Sequence, residues 1–135
     1  MLKKVCVFLI IFVLLSGCIS ANAATSSPIQ VCADPYVSSS GIYLSSAGNA
    51  QMVITLKYQA NSVSVSSCSL QTKENGNWVF AESLPTPSAI GNNTAYYTVE
   101  QNYSSYMAKG STYRMIVVYN IDGYEKTCTS NSILY

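Results

Sequence analysis

The chain has 135 residues, 49% of them hydrophobic and 10% charged, with eleven tyrosines, five cysteines, no histidine and a formal net charge of +1. So balanced a charge excludes the electrostatic footprint of a nucleic-acid or anionic-lipid binder. The missing histidine removes the commonest general base and metal ligand, and with it histidine triads and zinc sites of histidine type.

From the N-terminus, Lys3 and Lys4, an eleven-residue apolar run from Val5 to Leu15 and the small residues after it compose a secretory signal peptide. The run is too short to span a bilayer. Two cuts compete. Leu15-Ser16-Gly17-Cys18 has the form of a bacterial lipobox, in which a lipidated Cys18 would begin the mature lipoprotein, whereas Ala21-Asn22-Ala23 is an A-x-A site that would release a secreted protein. The lipobox is favoured because its four residues abut the apolar run, and diacylation supplies the two chains that stable anchoring needs. The chain therefore divides into a signal peptide, 1–23 (or cleavage before Cys18), a polar lead, 24–35, and one β-domain, 36–135. Loss of Lys3 and Lys4 leaves five basic and six acidic residues, a net charge near −1. The mature cysteines are Cys32, Cys68 and Cys128, so at most one intrachain disulfide can form.

Beyond the lead, Ile42 to Ser45 is a short strand candidate. From Gln51 to Ala60, Met52, Ile54, Leu56 and Tyr58 alternate with Val53, Thr55, Lys57 and Gln59, the period-2 pattern of a half-buried strand. Val63 to Thr72 is a further candidate and leads into Glu74-Asn75-Gly76-Asn77. A two-residue Asn75-Gly76 loop would pair Lys73 with Trp78 and point Trp78 away from Leu70. A three-residue loop from Glu74 to Gly76 pairs Thr72 with Trp78 and Leu70 with Phe80, gathering Leu70, Trp78 and Phe80 on one face. Register follows the buried face, so the three-residue loop is predicted.

Trp78 to Leu84 follows, closed by Pro85 and Pro87, which rule out a central strand there. Ala95 to Tyr103 carries part of a tyrosine cluster, Tyr96, Tyr97, Tyr103 and Tyr106, beside Asn92, Asn93, Gln101 and Asn102. Tyrosine with Asn or Gln stacks on sugar rings or fills adaptable interfaces, which makes these four tyrosines the candidate ligand contacts. The plainer reading is that alternation sends Tyr97 and Tyr103 to one face and Tyr96 and Tyr106 to the other, some core and the rest strand surface.

Tyr113, Met115, Val117, Tyr119 and Ile121 alternate with Arg114, Ile116, Val118 and Asn120, a more central strand whose apolar residues on both parities predict cover on both faces. Its entry, Gly110-Ser111-Thr112-Tyr113-Arg114, has the pattern of a tyrosine corner, although Tyr113 is equally well an ordinary strand residue. Asp122-Gly123 then marks a tight hairpin that pairs Ile121 with Tyr124, Tyr119 with Lys126 and Val117 with Cys128.

No segment beyond the signal has a helical apolar period. About seven short strands with frequent turn signals predict an all-β chain, a two-sheet sandwich of immunoglobulin-like or fibronectin type III-like kind, with Met52, Ile54, Leu56, Leu70, Trp78, Met115 and Val117 buried together. In such an order Cys68 and Cys128 flank the central strand two spacings apart, about 9 to 10 Å, beyond the roughly 7 Å limit for a bridge. Cys32 precedes the first strand at the same pole, and in such folds that strand commonly runs beside the last, so Cys32–Cys128 is the predicted disulfide, with no bridge or Cys32–Cys68 as the alternatives.

Leu70 to Val79, Gly110-x-x-Tyr113-Arg114-x-x-Val117 and Asp122-Gly123 together resemble small exported proteins of Gram-positive bacteria, a family of unknown function with an immunoglobulin-like sandwich. The resemblance covers roughly 36–132 and implies that fold; the family brings no catalytic residues, and the cysteines here depart from its pattern.

Other chemistry is thin. Asp122 with Glu125 and Glu82 with Glu100 are the available carboxylate pairs, but Asp122 is explained by its turn and Glu125 by an outward strand face. Cys68 has no base to deprotonate it, and no acidic run suits Ca²⁺. Asn92-Asn93-Thr94 and Asn102-Tyr103-Ser104 match glycosylation acceptors, a match usually accidental in a bacterial chain. The expectation is a non-enzymatic binding or interaction module at the cell surface, taking a protein or glycan partner, without cofactor, metal or nucleic acid, and touching membrane only through a lipid on Cys18. A structural spacer of the envelope is the alternative.

Overall fold

The computed structural model describes residues 34–135. Within them the alternating segments form seven antiparallel strands and no α-helix: β1 (Val37–Leu44), β2 (Asn49–Glu74), β3 (Asn77–Leu84), β4 (Gly91–Asn102), β5 (Thr112–Ile121), β6 (Tyr124–Thr129) and β7 (Ile133–Leu134). A 3₁₀ turn, Ser104–Tyr106, follows β4.

The segments 51–60 and 63–72, expected as separate strands, are one. No Gly or Pro interrupts Asn61-Ser62, and the Asp122 carboxylate accepts their two backbone N–H groups at 3.0 and 2.8 Å. A straight strand as long as β2 would reach about 85 Å at about 3.3 Å per residue, far beyond a domain of this size. Register shifts occur instead between Thr55 and Ala60 against β4 and between Val65 and Ser67 against β5. The first half of β2 lies between β1 and β4, the second half between β3 and β5, and β5 goes on to pair with β6 and β7.

Both halves feed one apolar cluster. Met52, Ile54, Leu70, Met115 and Val117 are 0% exposed and Leu56 is 5%, which places six of the seven expected core residues together. Tyr113, Met115, Val117, Tyr119 and Ile121 are buried, while Ile116 and Val118 on the opposite face stay half-exposed, so cover on both faces is incomplete. Tyr113 does form a tyrosine corner: its hydroxyl accepts the Ala108 N–H at 3.0 Å.

Trp78 is the exception in the core, because the preceding loop has two residues and not three. Asn75 and Gly76 sit at φ 48° and 83°, the left-handed pair of a type I′ turn, and Lys73 pairs with Trp78. That turn matches the twist of its strands, and Asn tolerates the left-handed conformation. Val79, opposite Thr72, takes the parity intended for Trp78, and Phe80 is 65% exposed. Trp78 is half-buried by other means: the Arg114 guanidinium lies 4.5 Å from its ring centre and Lys73 Nζ 5.9 Å. A bulge between Leu70 and Gln71 then restores the inward parity, so that Leu84, opposite Cys68, is buried.

The Asp122-Gly123 hairpin has the expected register, with Val117 opposite Cys128. Cys68 stands on the other side of Val117, buried, and burial pushes its thiol pKa up. No disulfide forms among the described residues, and Cys32 lies outside them. The Cys128 thiol donates to Ser40 Oγ at 3.1 Å, in the middle of β1, and Asp34 ahead of β1 meets Tyr124 and Lys126 near the hairpin.

Candidate functional site

The tyrosine cluster does not converge. Tyr97 is 5% exposed and donates to Ala89 O at 2.9 Å; Tyr103 is fully buried and donates to Pro85 O at 2.9 Å, and burial raises both phenol pKa values. Neither is open to a ligand, which corrects half of the expected contact set. Tyr96, 55% exposed on β4, and Tyr106, 36% exposed on the 3₁₀ turn, remain at the surface. Alternation carried the division on β4; local density of tyrosines did not.

A recess lies elsewhere, on the outer face of β1, β2 and β4. Strand pairing sets Tyr43, Gln51 and Glu100 in one row across the three strands, with Ile42, Leu44, Ala50 and Met52 buried on the other face. Tyr43 is 65% exposed. Beside it a cleft of about 420 Å³ is lined by Tyr43, Leu44, Ser45, Asn49, Ala50, Gln51 and Glu100. Gln51 Nε2 donates to Glu100 Oε1 at 3.0 Å, and in the next row Asn102 Nδ2 donates to Asn49 Oδ1 at 2.6 Å. These pairs tie the exposed amides of β2 to side chains of β4. On the other side of Tyr43 a smaller hollow of about 120 Å³ is lined by Ser39, Ser40, Gly41, Tyr43 and Val53. Tyr96 belongs to the same outer face, since its partner Thr55 pairs in turn with Ser39. One carboxylate and no cation line the cleft, so it offers an aromatic surface and neutral hydrogen-bonding groups.

Sequence reasoning passed over Tyr43, a lone aromatic among serines and glycine. Its partners at 51 and 100 are brought in only by strand pairing. Its position between Gly41 and the buried Leu44 was the available signal.

A second polar constellation joins the start of β1 to β6. Asp34 Oδ1 accepts the N–H groups of Tyr36 and Val37, both at 2.9 Å, while Oδ2 accepts Lys126 Nζ at 2.8 Å and the Tyr124 hydroxyl at 3.2 Å. Tyr36 packs on Tyr124 and Tyr58, with ring centres 4.6 and 5.7 Å apart. The Lys126 hydrogen bond, aided by the two amides against the cost of burial, holds the Asp34 carboxyl well below the usual carboxylate range. An acid strengthened by folding adds stability above its unfolded pKa, about 3.9, and loses it as the pH falls toward the folded value. With the side chains 12% and 31% exposed, the pair is worth on the order of 1 kcal/mol. Asp34→Asn is therefore expected to lower stability at pH 7, and the gap to wild type to close below about pH 4. Parallel thermal melts across pH check it; a gap that fails to narrow as the pH falls from 5 to 2.5 contradicts it.

Among the described residues no three Cys, Asp or Glu side chains gather as a metal site. Compared with known protein families, curated proteins and solved structures, the chain matches none.

Proposed function

We propose that the mature chain is an exported β-sandwich displayed at the cell surface, where it acts as a non-enzymatic binding module. The observation that carries this reading is the Tyr43 cleft: a largely exposed aromatic ring on a rigid strand, beside amides tied by hydrogen bonds to the next strand. Sites on sheets are held more rigidly than sites on loops, and recognition favours such preorganisation.

The sandwich itself is part of the proposal. The grouping β1, first half of β2, β4 against β3, second half of β2, β5, β6 has the strand order of a fibronectin type III-like domain whose second and third strands are continuous. The Tyr119 hydroxyl within 3.4 Å of Gly41 O and Val53 O, and the Tyr113 corner, favour two packed layers.

The test of binding is retention of envelope material by the immobilised domain, reduced by Tyr43→Ala and unchanged by Thr127→Ala on β6. Failure to retain anything from the envelope would favour the spacer role. Anchoring is tested separately: Cys18→Ser is expected to move the protein from the membrane fraction to the medium, and wild type found in the medium beginning at Ala24 would overturn the lipobox. The Cys32–Cys128 bridge stays part of the proposal. Non-reducing peptide mapping decides it.

A further inference from the structure

Gly41 is costly where it stands. Glycine inside a strand weakens it and often marks close approach of another group. Here the group is Tyr43, two residues on and on the same face. A Cβ built on Gly41 would lie 3.4 Å from Tyr43 Cε2 and 3.6 Å from Cζ and Oη. The hydroxyl end of the ring thus lies down along the strand over Gly41 and does not stand up from the sheet, while the side chain remains 65% exposed. A reclining aromatic ring, with hollows on both sides and amides along one flank, is a stacking platform.

The chemistry of the flank narrows the ligand. No Lys or Arg lines either hollow and Glu100 lines the larger, so phosphates, uronic acids and nucleic acid are disfavoured. An extended peptide adding to the edge of β1 is disfavoured at this end as well. The Asn131 side chain already satisfies both backbone groups of Leu44, donating to its carbonyl at 2.8 Å and accepting its N–H at 2.9 Å, and so plugs the edge. What fits is a ligand with apolar C–H faces and many neutral hydroxyls. The volume of about 420 Å³ falls in the range of small-ligand sites.

We propose that the Tyr43 cleft is a subsite for a neutral saccharide, whose ring stacks on Tyr43 while its hydroxyls bond Gln51 and Glu100, and that Gly41 is a positioning residue that keeps a branched side chain out of the space under the reclining ring. This rests on the binding-module reading and names its ligand class.

The experiment is affinity electrophoresis of the mature domain in gels containing a neutral glucan, a neutral mannan, N-acetylglucosamine oligomers or, as an anionic control, polygalacturonate. At least one neutral probe is expected to retard wild type, with polygalacturonate inert. Tyr43→Ala should weaken that binding by about tenfold or more, and Tyr43→Phe should keep most of it. Gly41→Val, whose added methyls meet the ring while its β-branched side chain suits a strand, should weaken it with circular dichroism unchanged and the melting temperature no lower than that of wild type. Preference for polygalacturonate, binding insensitive to Tyr43→Ala, or no retardation by any neutral probe overturns the saccharide site. The broader reading is judged apart: if no neutral probe retards the domain but the pull-down still retains envelope material in a Tyr43-dependent way, the binding module stands without the saccharide, and if neither gel nor pull-down shows binding both fall.

Discussion

Val117→Asp is expected to abolish folding, whereas Thr55→Glu is expected to cost less than about 1 kcal/mol. Val117 is 0% exposed, with Cys68 opposite it on β2 and Cys128 on β6. A carboxylate there meets neither water nor cation, so it must protonate. At pH 7, neutralising a carboxyl whose ordinary pKa is about 3.9 costs about 4 kcal/mol at 1.36 kcal/mol per unit, and the lost valine burial adds about 1.5 to 3 kcal/mol. That consumes most of the roughly 5 to 15 kcal/mol that holds a domain together. Thr55 lies between Ser39 and Tyr96 on the outer face, where a glutamate can reach solvent. Urea unfolding followed by circular dichroism compares the two; equal losses would show that the inward parity of β5 is misassigned.

Gly48→Ala should destabilise by about 2 to 4 kcal/mol, and Gly123→Ala by only about 1 kcal/mol. Both glycines have left-handed backbones, at φ 81° and 90°. Any other residue pays that conformational cost at either site. A Cβ at Gly123 would meet nothing within 4 Å, whereas one at Gly48 would lie 2.7 Å from Ser104 Cα and 2.8 Å from its N. Backbone must move to admit it. Gly48 O also accepts the Tyr103 N–H at 2.8 Å, so the shift propagates to a fully buried tyrosine. For a domain of about 100 residues the smaller change lowers Tm by about 4 to 8 °C. A Gly48→Ala melt no worse than the Gly123→Ala melt would mean that the loop yields freely at Ser104.

The Tyr113–Ile121 alternation and the Asp122-Gly123 turn were legible down to individual partners, because a two-residue turn and a period of two are local properties. The same logic separated buried Tyr97 from exposed Tyr96 on β4, whereas Tyr103 and Tyr106 lie beyond the strand and owe their burial and exposure to the 3₁₀ turn. It failed at Asn75-Gly76. There the expected burial of Trp78 was weighed above the turn's own preference, and the alternative cover for its ring, Arg114, lies on β5, far along the chain.

The candidate site was the least legible feature. Nothing near Tyr43 marks it as a platform until β2 carries Gln51 alongside and β4 carries Glu100 behind it. By itself, then, the sequence determined strand class, most inward parities and the turn after β5, since these follow from neighbouring residues and backbone sterics. The continuity of β2 and the cleft beside Tyr43 were decided only by tertiary structure. Asp122 binding Asn61 and Ser62, Asn131 closing the edge at Leu44 and Glu100 bonding Gln51 are all contacts between residues dozens of positions apart, which no local propensity encodes.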